Sequence, residues 1–110
     1  LQIDELHDHP ILSIDWNSGG ASVDKLCMPY VATCGQDNSL IITKIESKLN
    51  TNTTPNTNLN LNLLTSTVVC NEIMAHEADI NCVRWHPLLT DVLVTVGDDG
   101  RVKIWTFELK

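Results

Sequence analysis

The chain contains two copies of one pattern, and this repetition limits its possible folds more than any other feature. In residues 7–16 and again in residues 76–85, a tryptophan lies nine positions after a histidine, with aliphatic residues at the same two places between them. Residues 30–38 and 92–100 align in the same way and end in polar turns. A period of several tens of residues is typical of solenoids and propellers. We therefore expect a repeat fold that presents a surface.

Each copy carries four strand signals, which are short runs rich in Val, Ile, Leu and Thr between Gly, Asp and Asn. The expected strands are residues 1–6, 11–16, 30–34 and 40–45 in the first copy and residues 68–75, 80–85, 92–96 and 101–107 in the second. No window shows a helical period. Ile80, Val83 and Trp85 are not spaced by twos, and neither are their counterparts in the first copy, so we predict the same β-bulge in both.

Composition limits the partners of the chain. Its formal net charge of −7 disfavours nucleic acid and anionic membranes, because phosphates are bound by Lys and Arg. There are four cysteines and no C-x-x-C pair, which indicates reduced, structural thiols in a cytosolic or nuclear protein. His7, Asp8 and His9 resemble metal ligands, but no second ligand pair lies nearby in sequence. We expect neither a metal nor a cofactor.

Between the copies, the composition changes. Residues 50–67 are almost entirely Asn, Thr and Leu with one Pro. Such a segment cannot bury enough apolar surface to offset the entropy lost on ordering. We expect a repeat at 1–46, a disordered insertion at 47–67 and a second repeat at 68–110. A short linear motif in the insertion is the alternative.

Four positions of the second copy resemble the WD-repeat β-propeller family, in which hydrogen bonds link a His, a Ser or Thr, an Asp and a Trp into a structural tetrad. The corresponding residues are His76, Thr95, Asp99 and Trp105. The first copy has His7, Thr33 and Asp37, with Thr43 where the Trp would be. The resemblance therefore implies a complete tetrad in the second repeat. It implies an incomplete one, in a less rigid blade, in the first.

The resemblance also implies an architecture. The fold class is all-β, with about two four-stranded antiparallel blades from a larger, seven-bladed ring. The two repeats would be the last of that ring, displaced by one strand from the blade boundaries. The outer strand of the final blade would then come from the N-terminus of the full protein and close the ring.

A His beside a hydroxyl and a carboxylate also suggests a nucleophile activated for catalysis. The same triplet recurs in both copies at turn and strand positions, which favours a structural role. We therefore interpret the chain as non-enzymatic. A redox or metal enzyme is a further alternative, and it would require a bound metal or an exposed thiol of low pKa.

Within the family, the segment from Ala75 to Trp105 resembles the WD-repeat proteins of cytosolic iron–sulfur cluster assembly. That resemblance implies a non-enzymatic scaffold that helps to target clusters to recipient apoproteins. Its partners would be other subunits of a complex and the remainder of its own propeller. It would lie in the cytoplasm, with the nucleus as an additional location. The alternative is another WD-repeat adaptor, such as a ubiquitin-ligase substrate receptor or a subunit of a chromatin or trafficking complex.

One end of the two repeats is a candidate partner-binding face, because the loops before the innermost strands and the turns between the second and third strands open there. The candidate residues are Asp8, Pro10, Gln36, Glu77, Asp79 and Asp98. Four of these six are carboxylates, which favours a basic or amide-donating partner. A solvated acidic rim without a partner is the alternative.

Overall fold

The computed structural model describes residues 1–17, 27–49 and 62–108, and this part of the chain is built from β-strands. The strands are β1 (Ile11–Asn17), β2 (Cys27–Gly35), β3 (Leu40–Leu49), β4 (Asn62–Glu72), β5 (Ile80–Trp85), β6 (Val92–Gly97) and β7 (Val102–Thr106). They form two antiparallel sheets of neighbouring strands, β1-β2-β3-β4 and β5-β6-β7. No helix in the described ranges is long and apolar enough to cross a bilayer. The all-β prediction and the partial propeller are confirmed.

Both predicted bulges are present. The register between β1 and β2 shifts between Ile11 and Ser13. The register between β5 and β6 shifts at the equivalent point, between Ile80 and Cys82. One extra residue on the bulged strand re-aims the side chains that follow it. The irregular spacing that both repeats show in the sequence therefore reflects the same backbone conformation in both.

The polar turns between the second and third strands also match. Asn38 has a φ of 65° and Gly100 has a φ of 77°. Glycine and, among other residues, asparagine tolerate this left-handed region best. The turns therefore form where the sequence placed them.

One strand prediction was wrong, and one strand has other bounds than predicted. Residues 1–6 form no strand, because the outer strand that opens a repeat pairs with the third strand of the preceding sheet, as β4 pairs with β3, and the described residues place no such strand beside residues 1–6. The strand expected at 68–75 begins earlier and ends at Glu72. It pairs with β3 over its whole length, from Leu49↔Asn62 to Leu40↔Glu72. Both ends of the expected insertion 47–67 are therefore strand, and residues 50–61 lie outside the described residues.

The core lies between the two sheets. Buried apolar side chains of the first sheet meet those of the second. The first sheet contributes Tyr30, Ala32, Cys34, Leu40 and Ile42, and the second contributes Ile80, Val83, Trp85 and Leu93. Burying one large aliphatic side chain contributes about 1.5–3 kcal/mol. Apolar packing between the sheets therefore stabilises their arrangement.

Polar contacts join the facing edge strands β1 and β5. The hydroxyl of Ser13 accepts the backbone N–H of Val83 at 3.1 Å, and a carboxylate oxygen of Asp15 accepts the backbone N–H of Trp85 at 2.6 Å. The carbonyl of Asp15 accepts the indole N–H of Trp85 at 3.1 Å. An edge strand has backbone donors without ladder partners. Ser13 and Asp15 satisfy those of β5.

Candidate functional site

The four tetrad residues of the second repeat are linked by hydrogen bonds. Nδ1 of His76 lies 3.0 Å from each carboxylate oxygen of Asp99, and Nε2 lies 2.7 Å from the hydroxyl oxygen of Thr95. The indole N–H of Trp105 donates to the same hydroxyl at 2.9 Å. The pre-strand loop, β6, the following turn and β7 each contribute one member. The network therefore ties β6 and β7 to the turn between them and to the loop before β5.

The donors and acceptors that these side chains carry fix the direction of each hydrogen bond in the network. A carboxylate only accepts, so Nδ1 of His76 carries the hydrogen that is donated to Asp99. Nε2 then accepts the hydroxyl hydrogen of Thr95, whose oxygen accepts from Trp105. Each of these side-chain polar groups of the tetrad has a partner when the imidazole is neutral. Hydrogen bonds aligned in this way polarise one another.

Asp99 also organises the backbone around it. Its carboxylate accepts the N–H of Glu77 at 3.1 Å and the N–H of Arg101 at 3.0 Å. The hydrogen bond from His76, together with these backbone donors, lowers the pKa of Asp99 to about 2. The carboxylate therefore stays ionised and holds the loop and the turn together.

The first repeat builds the same triplet without the tryptophan. Nδ1 of His7 lies 3.0 Å and 2.8 Å from the two oxygens of Asp37, and Nε2 lies 2.8 Å from the hydroxyl of Thr33. Burial alone would raise the pKa of Asp37, but hydrogen bonds from His7 and from the N–H of Ser39 outweigh it and lower that pKa. The geometry of the histidine and its carboxylate is therefore the same in both repeats.

Thr43 occupies the place that Trp105 has in the second repeat. Thr43 pairs with Val31 across β2 and β3, just as Trp105 pairs with Leu93 across β6 and β7. The side chain of Thr43 is buried, and its hydroxyl has no hydrogen-bond partner in the described structure. A buried hydroxyl without a partner costs about 1–3 kcal/mol. The first network is shorter by one donor, and a polar group is left unpaired beside it.

Burial limits what these networks can do chemically. His76 and Thr95 are both 0% exposed, so no substrate reaches the hydroxyl that a catalytic interpretation would activate. No cluster of three or more His, Cys, Asp and Glu side chains that could hold a metal ion occurs in residues 1–17, 27–49 and 62–108. Burial also raises the pKa of Cys34 to about 12, with a smaller contribution from Cys82. Cys34 is therefore a protonated core thiol rather than a nucleophile.

Two glycines allow the pre-strand loops to approach the turns. A Cβ at Gly97 would lie 2.9 Å from Nδ1 of His76 and 2.9 Å from the carbonyl oxygen of Asp79. A Cβ at Gly35 would collide with the carbonyl oxygen of Pro10. A glycine here lets the backbone come close. The repeat pattern aligns Gly35 with Gly97, but the sequence alone gave no sign of that role.

The six residues of the candidate partner-binding face lie in the loops and turns at which the sequence predicted that face. Within the first repeat, the N–H of Gln36 donates to the carbonyl of Pro10 at 3.1 Å. Within the second, the N–H of Asp98 donates to the carbonyl of Asp79 at 2.9 Å. The two loop groups are joined because the N–H of His76 donates to the carbonyl of Asn38 at 3.5 Å. Asp8, Pro10, Gln36, Glu77 and Asp98 are exposed and Asp79 is half-buried.

Sequence reasoning missed the polar junction between the sheets. Ser13 and Asp15 stand at the positions that Cys82 and Arg84 occupy in the second repeat, so the repeat alignment gave no reason to single them out. The signal that could have found them is chemical: the hydroxyl of Ser13 and the carboxylate of Asp15 alternate with the apolar residues Ile14 and Trp16 along β1.

Comparison with known proteins agrees with this geometry. The family model "WD domain, G-beta repeat" matches residues 67–106. A Dictyostelium discoideum protein named "Probable cytosolic iron-sulfur protein assembly protein CIAO1 homolog" is 30% identical over 94% of this chain and 25% of its own length. A Drosophila mojavensis protein with a corresponding name is 33% identical over 94% of this chain and 26% of its own length.

A third relative, from Culex quinquefasciatus, is 53% identical over 31% of this chain and 10% of its own length. The chain thus spans about a quarter of the length of the relatives that match nearly all of it. The aligned proteins, the matched family model and the four-residue network agree, and we conclude that residues 67–106 form a WD repeat and that the chain as a whole is similar to WD-repeat proteins.

Proposed function

We propose that this chain is part of a non-enzymatic protein-interaction scaffold in cytosolic iron–sulfur protein assembly, where it helps to bring recipient apoproteins to their clusters. The observation that carries the proposal is the similarity of nearly the whole chain, including both repeats, to proteins named for that process. On this proposal the protein works in the cytoplasm and holds no cluster of its own.

The described residues support a scaffold in two ways. The histidine networks use their polar atoms internally, and the central hydroxyl groups are buried. The loops that the networks hold in place are exposed at one end of the sheets. A rigid frame below an exposed loop face is the arrangement that suits binding.

We further propose that this loop face binds the partner. Its carboxylates are Asp8, Glu77, Asp79 and Asp98. The carboxylate of Asp98 accepts from the side chain of Asn81 at 2.6 Å, which orients it at the surface. Glu77 is paired only loosely, at 3.7 Å from the exposed guanidinium of Arg101. A basic or amide-donating segment would complement this acidic face, and the contacts would weaken with salt.

Affinity purification of the complete gene product from its own cells, with mass spectrometry of the recovered proteins, tests the proposal. We expect components of iron–sulfur protein assembly and cluster-bearing enzymes. Asp79→Lys with Asp98→Lys should reduce their recovery. Asp91→Lys with Glu108→Lys is the matched control, because these exposed carboxylates lie at the opposite end of the second sheet.

The two parts of the proposal fail separately. Recovery of cullin adaptors, chromatin subunits or coat proteins in place of assembly components would overturn the assembly role. Recovery of assembly components that is equally strong from the Asp79→Lys/Asp98→Lys variant and the control variant would overturn the loop face as the binding surface. The folded state of each variant is checked by near-ultraviolet circular dichroism.

A further inference from the structure

The strand β4 gives the first sheet a long outer edge. The sheet order β1-β2-β3-β4 places β4 at one margin, and within the described ranges no strand pairs with its other side. The opposite margin, β1, faces β5 across the junction between the sheets, so β4 lies at the periphery. Propellers leave only short, protected edges. β4 has 11 residues, whereas an average strand has about five or six.

This edge lacks the features by which proteins protect edge strands. A free edge presents unpaired N–H and C=O groups, and lysine, proline, inward-pointing charges or a short length normally keep other strands from pairing with them. From Asn62 to Asn71, β4 carries no charged residue and no proline. Its ladder with β3 is interrupted at Val69. A regular, uncharged edge therefore runs from Asn62 to Val68.

The side chains along this edge complement themselves about one point. Leu64 is 40% exposed and Val68 is 48% exposed, and both lie on one face of β4 because they are four residues apart. Ser66 lies midway between them. When two copies of β4 run antiparallel about a two-fold axis at Ser66, Leu64 of each copy lies opposite Val68 of the other. Such directly opposed apolar pairs stabilise a ladder and set its register.

The charge distribution also favours pairing at this strand. The chain has a net charge of −7, so acidic surfaces of two copies repel each other. The edge of β4 is neutral over residues 62–68. On the adjacent strand β3, the ammonium of Lys44 lies 3.9 Å from the carboxylate of Glu46, so these two charges offset each other. Two copies therefore approach at this edge without facing like charges.

We propose that β4 pairs with β4 of a second copy of this chain, in an antiparallel, two-fold symmetric ladder centred on Ser66. The interface uses the same surface on both copies, so the assembly closes at a dimer. One short ladder is a small interface, and the dimer is therefore reversible, with a dissociation constant on the order of 10 µM. The proposal does not depend on the role in iron–sulfur protein assembly.

Sedimentation equilibrium of the complete gene product tests the proposal. Leu64→Lys with Val68→Lys sets like charges opposite each other at both ends of the ladder, and we expect the dissociation constant to rise about tenfold. Leu64→Lys with Val68→Glu is the matched control. It changes the same two exposed positions and also adds two charged groups, but it sets opposite charges against each other. We expect this control to retain the dimer.

A symmetric cysteine tests the register directly. In the proposed ladder, the thiols of two Ser66→Cys copies lie opposite each other, close enough to form a disulfide. Hydrogen peroxide takes two protons and two electrons from the thiols and becomes two waters. We expect a covalent dimer on a non-reducing gel. Asn71→Cys is the matched control, because it is exposed on the same strand and does not oppose itself about Ser66. It should give no more covalent dimer than the unsubstituted chain.

Each other outcome overturns the proposal. A monomer at concentrations well above the expected dissociation constant would show that a second copy does not take the edge. Equal association of the Lys/Lys and Lys/Glu variants would show that residues 64 and 68 do not face each other. Equal covalent dimer from Ser66→Cys and Asn71→Cys would contradict the register. A mixed disulfide between Ser66→Cys and a different protein in cells, without the dimer, would identify another occupant.

Discussion

The two histidine networks share three residues, and the fourth position separates them. In the second repeat, the indole of Trp105 donates to Thr95 and stacks on Phe107 with 6.3 Å between the ring centroids. In the first repeat, the smaller Thr43 stands at that place, and its hydroxyl is buried without a partner in the described structure. The networks are nevertheless alike at the histidine and the aspartate.

This difference teaches which part of the network sets the geometry and which part adds stability. Loop, turn and histidine take the same positions in both repeats, so the His–Asp and His–Thr bonds suffice to place them. The tryptophan adds a donor and an aromatic surface. We infer that Trp105 adds a tie between β6 and β7 that the first network lacks between β2 and β3.

The largest expected contrast is between Thr95→Val and Thr33→Val. The first substitution removes the partner of His76 and of Trp105, whereas the second removes only the partner of His7. Each buried polar group left without a partner costs about 1–3 kcal/mol. Urea denaturation should show a loss of about 3 kcal/mol for Thr95→Val and about 1.5 kcal/mol for Thr33→Val.

A double-mutant cycle sharpens this contrast. Trp105→Phe keeps an aromatic ring and removes the donor, so it should cost about 1 kcal/mol alone and close to nothing in the Thr95→Val background. Equal losses for the two threonine variants would show that the tryptophan donor adds no stability.

The next effect has the opposite sign. Thr43→Val keeps the shape of the side chain and removes the hydroxyl that has no partner. We expect the free energy of unfolding to rise by about 1 kcal/mol, whereas the same Thr→Val change at position 33 lowers it. A loss of stability for Thr43→Val in urea denaturation would mean that its hydroxyl has an acceptor after all.

The smallest expected difference concerns how the free energy of unfolding changes at acid pH. The pKa of Asp99 in the folded chain is about 2, below the unfolded value of about 3.9. Its ionised form therefore stabilises the fold above about pH 4, and this contribution is lost as the pH falls towards 2. The pKa of Asp37 is lowered in the same direction. Asp99→Asn should flatten the dependence of unfolding free energy on pH between about 4 and 2 more than Asp37→Asn does.

Matched acid titrations of the two variants, followed by circular dichroism, measure this difference. A steeper acid dependence in Asp99→Asn than in the unsubstituted chain would contradict the direction of the pKa shift. Equal flattening by the two substitutions would show that the two carboxylates contribute alike.

Much of the fold was predictable because it depends on local pattern. The spacing of Ile80, Val83 and Trp85 predicted the bulge, and the polar residues that end 30–38 and 92–100 predicted the two turns. The histidine networks were also predictable, because their members recur at fixed offsets in both repeats. The bounds of the outer strand were harder: composition predicted a strand over 68–75, but β4 runs over Asn62–Glu72, because its length is set by pairing with β3.

The sequence by itself determined the repeat, the strands around each turn and the chemistry of each network, because these depend on spacing and on residue type. Only the tertiary structure decided which side chains of one repeat form hydrogen bonds with the other repeat. Asp15 binds Trp85 because the two edge strands face one another across the core. Thr43 is buried without a partner for a similar reason: pairing and packing decide whether a hydroxyl meets an acceptor, and no local pattern encodes that meeting.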